Sequence, residues 1–324
     1  MKILITGITG LFGSYLAKTF LPLGEIHGLK RAESKLDLLA EINEQIHWHE
    51  GDINDYQSME EAFEGMDVVI HSAGMVSFRN GDEEKLLKVN VEGTANVVNV
   101  MLGQGIKKLI HVSSVAAIGR NPEKLLMDER EKWVTSDLNT PYAISKYLGE
   151  LEAWRGAQEG LDVIVVNPSV LLGKVDDNRS STAIYEYVLQ EKKFFPKGNV
   201  NYIDVRDAAE ITAELFQKNA WGERFILNKE GISYAEFFKS TAEVLDRKAP
   251  KWPVPSRLIR FADYFFKIKG LFTQNAPSFS KKAVRAAQFP IVFNNVKVGK
   301  LLNFRYTPLK ETLEWARSER KQLG

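Results

Sequence analysis

The chain has no cysteine, which removes disulfides, thiolate nucleophiles and cysteine-ligated metal centres together. That absence fits a reducing compartment. A cytoplasmic location is expected, because the first residues run straight into a strand-like segment with no signal-peptide pattern. Long apolar runs are missing too: nothing approaches the roughly 20 apolar residues needed to span a bilayer. Nor is there a charge excess. The 43 basic and 42 acidic residues leave a net charge of +1, so no global field argues for a nucleic-acid partner. Internal repeats and low-complexity tracts are absent. What remains is a chain of 324 residues, 44% hydrophobic and 26% charged, sufficient for a full core and about two lobes.

The chain is organised around its first seventeen residues. Ile3 to Ile5 reads as a buried strand, which breaks at Gly7 and resumes as a helical pattern at Leu11. Strand, glycine turn and helix together make a phosphate cradle over Gly7, Thr9, Gly10, Leu11, Phe12 and Gly13. Glycine allows close backbone approach, and the helix start offers N–H groups and a positive dipole end. The spacing is G-x-x-G-x-x-G, and its placement after a strand and before a helix makes it a dinucleotide hypothesis. Further strands are expected at Glu25–Leu29, Ile46–His49, Asp67–His71, Lys108–Ser113 and Val163–Val166. Helices are expected at Ser34–Asn43, Tyr56–Phe63 and Glu83–Leu102. This alternation predicts right-handed crossovers and a doubly wound α/β fold of the Rossmann type, a parallel sheet covered on both faces. The expected division is a dinucleotide domain over 1–172, with 203–220 returning to it. A smaller, mainly helical substrate lobe would occupy 173–202 and 221–324. In that lobe Ser233–Leu245 carries a capping box through Ser233 and Glu236, and Pro308–Ser318 has proline in its first turn.

Ligands sit at the carboxyl ends of parallel strands, and the informative residues lie there. The second strand ends in Lys30 and Arg31, with Lys35 one helical turn further on. An NAD-preferring chain commonly has a carboxylate there, whereas cations would pair with a 2′-phosphate, so NADP is expected, NAD remaining possible. Asp52 follows the third strand, placed to accept from an adenine amino group or to open an Asx turn. Ser113 and Ser114 follow the fifth strand. Tyr142 and Lys146 stand one helical turn apart on one face. A free phenol titrates near pH 10, and a neighbouring ammonium would lower that toward neutrality.

The ordered set Thr6–Gly13, Gly51-Asp52-Ile53, His71–Gly74, Asn90–Asn96, Ser113-Ser114, Tyr142–Lys146 and Asn167-Pro168-Ser169 resembles the extended short-chain dehydrogenase/reductases. The resemblance covers residues 1–245 and weakens beyond. That group includes nucleotide-sugar epimerases, dihydroflavonol reductase-like enzymes and 3β-hydroxysteroid dehydrogenases. It implies Tyr142 as acid–base, Lys146 as the cation that lowers its pKa and binds the nicotinamide ribose, and Ser114, five residues before Gly119, as the hydroxyl that orients a carbonyl. Asn90 matches a residue of active-site geometry, or simply bonds to backbone within its helix. Ile53, Ser72, Ala73 and Gly74 join the cofactor contacts, with Pro168, Ser169 and Val170 lining the nicotinamide.

Within the group, Val115 and Ala116 stand where 4,6-dehydratases carry acidic residues, which sets dehydratase chemistry aside. Gly74–Phe78 and Val166–Gly173 look most like the dihydroflavonol reductase-like enzymes. The first expectation is therefore an NADP(H)-dependent carbonyl reductase acting on a small-molecule ketone or aldehyde. A nucleotide-sugar epimerase is second, with Arg179, Arg206, Arg224 and Arg285 available to clamp a diphosphate. A non-catalytic NADP sensor is third. His47, Trp48, His49 and Glu50 include metal-ligand types, and His47 and His49 share a strand face. No further ligands are identifiable in sequence, and no metal is assigned. The amphipathic stretch Ser256–Leu271, with Phe265 and Phe266, is expected to be a lid or packed helix rather than a membrane contact. The helices Glu83–Leu102 and Tyr142–Glu159 are candidates for a homodimer interface.

Overall fold

The computed structural model describes residues 1–79, 81–121, 123–174, 183–255 and 281–317. The first strands are β1 (Lys2–Thr6), β2 (Glu25–Lys30), β3 (Ile46–Glu50), β4 (Val68–His71), β5 (Lys108–Val112), β6 (Leu126–Met127) and β7 (Asp162–Pro168). Then come β8 (Val170–Leu172), β9 (Phe194–Phe195), β10 (Asn199–Asp204), β11 (Glu223–Leu227), β12 (Glu230–Ser233), β13 (Trp252–Pro253) and β14 (Val292–Phe293). The helices of the first half are α1 (Leu11–Phe20), α2 (Tyr56–Phe63), α3 (Glu83–Leu87), α4 (Gly93–Gln104) and α5 (Pro141–Gln158). Those of the second half are α6 (Ala183–Leu189), α7 (Val205–Gln217), α8 (Tyr234–Leu245), α9 (Lys281–Ala286), α10 (Val296–Leu302) and α11 (Leu309–Arg317).

Seven strands form one sheet in the order β11-β7-β5-β4-β1-β2-β3, every neighbouring pair parallel. Side chains alternate between its two faces, and both are buried. Ile3, Ile5, Ile70, Ile110 and Ile164 face α1 and α7 through Leu16, Phe20, Ile211 and Leu215. Leu4, Val69, Leu109 and Val163 face the opposite side, with Met59, Phe63, Val97 and Met101. This is why these strands read as near-continuous apolar runs. The chain winds outward from β1 to β3, then restarts at β4 on the other side of β1. The reversal opens a crevice at the carboxyl ends of β1 and β4, where ligands bind in doubly wound sheets.

Three departures from expectation have physical causes. The segment 34–43 is not a helix but two short 3-10 turns, Asp37–Leu39 and Asn43–Gln45. It fully buries only Leu39, and so short a helix is not sustained without packing. The long pattern over Glu83–Leu102 is interrupted by a π turn at Lys88–Glu92. Glu223–Leu227, expected in the second lobe, is the edge strand of the main sheet beside β7. Its apolar run of three residues, Phe225 to Leu227, carries too little periodicity to identify alone.

The second lobe has its own core. Tyr185, Val188, Tyr202, Phe237, Phe238 and Leu313 pack together around a three-stranded sheet, β12-β10-β8. Strands therefore share this lobe with its helices. The Ser233 cap is present, its hydroxyl accepting from the Glu236 N–H at 3.2 Å. Beyond residue 280 the chain comes back to the first core, burying Val298 there with Leu302, Phe304 and Tyr306 against it. The stretch Ser256–Leu271 and Arg179 lie outside the described residues. Among the described residues no helix is long and apolar enough to cross a membrane.

Candidate active site

The glycine turn closes the crevice from below. Gly7 has φ +66°, and a Cβ there would lie 2.5 Å from the backbone of Ala73. A Cβ on Gly13 would lie 2.2 Å from the Gly7 carbonyl oxygen, so α1 can meet β1 only through glycine at both places. Gly10 differs. Its missing Cβ would meet only the Gly7 oxygen, at 3.2 Å, so what glycine permits here is approach from outside. Helix α1 starts at Gly10 with no side-chain cap and no acidic residue in its first turn. The first-turn N–H groups of Leu11, Phe12 and Gly13 have no intrahelical acceptor, and the positive helix end is uncompensated. A diphosphate fits both requirements.

Helix α5 delivers the reacting groups. Thr140 caps it by accepting from the Ala143 N–H at 3.1 Å, and Pro141 opens its first turn. Tyr142 is half-buried, and the Ser114 side chain acts on its phenol. Burial pushes the phenol above its ordinary value, and the Ser114 hydroxyl partly offsets this. Ser114 caps the turn after β5, its Oγ accepting from the Ala116 N–H at 3.2 Å. Phe78 stands edge-on to the Tyr142 ring, with 5.5 Å between centroids. One turn on, buried Lys146 donates to the Val112 carbonyl at 2.8 Å. Burial lowers its pKa to about 8, with Glu150 acting in the opposite sense. Here it is Ser114 that eases ionisation of Tyr142, while the Lys146 ammonium is held on a backbone carbonyl. Its charge reaches His71 and His111, which burial already keeps well below the usual imidazole range. A hydroxyl pair with an adjacent buried ammonium can hold a carbonyl oxygen and exchange a proton with it.

Asn90 sits in the π turn, 2% exposed. Its Oδ1 accepts from the Met75 N–H at 2.7 Å. Its Nδ2 donates to the Met75 carbonyl at 3.0 Å and to Ser145 Oγ at 2.9 Å. Ser145 in turn donates to the Tyr142 carbonyl. Asn90 therefore ties the loop after β4 to the start of α5, its backbone bonds going to Met75 and not to its own helix. The extra residue of the π turn brings the Asn90 carbonyl against α5 at Gly149, where a Cβ would lie 2.2 Å away. Such a bulge re-aims one side chain inside a helix, as found at many functional sites.

Beneath these groups lies a buried carboxylate that sequence reasoning missed. Glu150 accepts from Ser113 Oγ at 2.6 Å, Asn167 Nδ2 at 2.7 Å and Arg224 at 3.2 Å. Asn167 also donates to the Ser114 carbonyl at 3.0 Å. The network braces the ends of β5, β7 and β11 behind Ser114. Its one signal in the sequence was spacing, since Glu150 follows Tyr142 and Lys146 at intervals of four on the same helix face. Ser169, 8% exposed, has a buried Oγ with no hydrogen-bond partner, which suits a polar ligand group at the start of Pro168–Val170.

Residues 3–227 match the family model described as the NAD dependent epimerase/dehydratase family. The chain belongs to that family. It is 33% identical over 258 residues to a putative dihydroflavonol 4-reductase from Synechocystis sp., covering 78% of this chain and 74% of that one. A cinnamoyl-CoA reductase 1 from Petunia hybrida is 26% identical over 327 residues, covering 95% and 89%. Among solved structures, gox2253 superimposes with a TM-score of 0.83 at 26% identity, covering 97% and 96%. The protein is thus an NAD(P)-dependent enzyme of the epimerase and reductase group, using a nicotinamide cofactor on a small-molecule substrate.

The remaining expected positions of this family member fall around the crevice rim. Lys30 closes β2, and Arg31 is exposed and paired with Glu33 at 3.1 Å. Lys35 is also exposed, but it lies in an irregular loop, not on a helical turn. Asp52 makes the Asx turn, its Oδ1 accepting from the Asn54 N–H at 2.9 Å. Ile53 is buried and packs where a Cβ on Gly93 would be, 2.6 Å from its Cδ1. Ser72 bonds through its N–H to the Thr6 carbonyl at 3.1 Å. Gly74 lies beside Asn90 and Lys146. Of the arginines considered for a diphosphate clamp, the three described ones make contacts elsewhere. Arg224 holds Glu150 and two carbonyls. Arg206 pairs with Asp204 and stacks 4.0 Å over Trp315, and Arg285 meets Asp137 at 3.4 Å.

Proposed function

We propose that the protein is an NADP(H)-dependent carbonyl reductase, similar to dihydroflavonol reductases, that converts a ketone or aldehyde to an alcohol. The observation that carries this reading is that Ser114, at the carboxyl end of β5, and Tyr142 and buried Lys146, one turn apart on α5, come together there, with Lys146 donating to the Val112 carbonyl at 2.8 Å. The glycine turn and α1 would hold the diphosphate, Asp52 the adenine, Lys30 and Arg31 a 2′-phosphate, and Lys146 the nicotinamide ribose. The bound cofactor supplies hydride. Ser114 binds the substrate carbonyl oxygen, and Tyr142 gives that oxygen its proton, with Asn90 keeping the loop and helix in register.

Two observations favour net reduction over epimerisation. Relatives at 33% and 26% identity carry reductase names, and Arg206 and Arg224, considered for a diphosphate clamp, are engaged in internal contacts. Val115 and Ala116 form a 3-10 turn with no carboxylate, which weighs against dehydration. A sensor would have no use for a buried proton donor.

The test is turnover of NADPH with a panel of ketones and aldehydes. Tyr142→Phe should lose about 100-fold or more in kcat with NADPH binding retained, and unchanged turnover in that variant would refute the mechanism. Cofactor that survives dialysis, with no net redox change on a UDP-sugar, would favour the epimerase. For association, Leu87 and Leu151 are exposed on α3 and α5, and light scattering of Leu151→Glu tests a dimer through them.

A further inference from the structure

Three of the chain's five histidines gather at the edge of the main sheet, away from the crevice. His27 on β2 and His47 on β3 are direct partners in the parallel register. Residues two apart share a strand face, so Glu25 joins His27 and His49 joins His47. The His27 and His47 ring centroids are 4.8 Å apart with planes 23° from parallel. One ligand atom from each of Glu25, His27 and His47 lies within 4.8 Å of the others. Glu25 and His47 are open to solvent while His27 is 7% exposed, so an ion has both an entry path and a buried anchor. His27 Nδ1 is 2.9 Å from His49 Nε2, and His27 Nε2 is buried with no hydrogen-bond partner.

We propose that Glu25, His27 and His47 form a site for a divalent transition ion of the zinc class, with His49 orienting His27 through its other ring nitrogen. Two imidazoles and one carboxylate are a familiar donor set for such an ion, with water completing the shell. A hydrogen bond on the non-ligating nitrogen sets the tautomer that leaves His27 Nε2 free to bind. Lys2, opposite Glu25 on β1, opposes an added cation, and the Glu25 carboxylate offsets it. Glu25 is the first residue of β2, whereas Lys30, at the crevice rim, is its last. The ion would therefore clip β2 to the edge strand β3 from the end away from the reaction, a structural role independent of the proposed chemistry. Linear sequence hides the site because its ligands come from two strands.

The test uses the full-length untagged protein, stripped with chelator and titrated with zinc chloride against a chromophoric chelator, with thermal melts alongside. One zinc per chain is expected, with a rise in melting temperature on saturation. The exposed ligand variant His47→Ala should keep the metal-free melting temperature and bind zinc about tenfold more weakly or worse. His49→Ala should weaken binding about 10- to 100-fold. The other histidines, His71 and His111, are each 1% exposed in the core, and there is no cysteine, so histidine-dependent binding has no competing location. No zinc uptake by the wild type, or wild-type affinity in His47→Ala, overturns the proposal.

Discussion

Replacing Gly149 by alanine sets two effects of opposite sign against each other. The residue lies in the middle of α5, where helix propensity alone favours alanine by about 1 kcal/mol. The surroundings oppose it. The new Cβ would lie 2.2 Å from the Asn90 carbonyl oxygen and 3.2 Å from its carbon, and backbone atoms cannot swing aside as a side chain can. Relief requires the π turn to move off α5, which stretches the Asn90 bonds to Met75 and Ser145. Overpacking costs about 1–3 kcal/mol, and each weakened hydrogen bond adds up to about 1 kcal/mol. After subtracting the propensity gain, Gly149→Ala should destabilise by about 2 kcal/mol, or ~3 °C in melting temperature for a chain of this size. Gly103→Ala is the control. Gly103 is also helical and has nothing within 4 Å of its would-be Cβ, so alanine there should stabilise by about 0.5–1 kcal/mol. Urea unfolding of both variants reads the contrast. Turnover in Gly149→Ala should fall further than NADPH affinity, because the displaced Asn90 loosens the loop beside Lys146. Stability at or above wild type in Gly149→Ala would refute the argument.

Arg224→Ala leaves Glu150, whose side chain is 4% exposed, buried without its cation. Urea unfolding should show a loss of about 3–5 kcal/mol. Lys146→Met should abolish turnover yet stabilise the fold at pH 7 by about 2 kcal/mol, the burial penalty of the ammonium less its bond to Val112. The sign follows from the Lys146 pKa, lowered from 10.5 to about 8. The unfolded chain binds more protons between those values, so wild-type stability recovers as pH rises from 8 to 10.5, and the variant's advantage should shrink over that window. Lys30→Ala combined with Arg31→Ala should raise the NADPH dissociation constant by about tenfold or more while leaving NADH binding nearly unchanged. Equal effects on both cofactors would remove the proposed 2′-phosphate contact.

Much of the site was legible because it is built from local patterns. The glycine turn and the Tyr142–Lys146 interval each need only a few consecutive residues. Those residues already carry the backbone freedom or helical phase involved. The segment 34–43 misled for the complementary reason. It has a helical pattern but only one fully buried side chain, and packing decides whether such a stretch coils. The edge strand Glu223–Leu227 and the bracing residue Glu150 were missed because both are defined by partners far away in the chain.

The sequence by itself determined the type of fold, the phosphate cradle and the residues available to move a proton, since each depends on spacing within one element. Tertiary structure alone decided which of those residues meet. The π turn that aims Asn90 exists because Gly149 admits its carbonyl. Arg224 is spent on Glu150 and not on a substrate. His27 gains His47 as a neighbour only when β2 and β3 pair in register. Contacts of that kind are set by packing between distant segments, which a linear pattern does not encode.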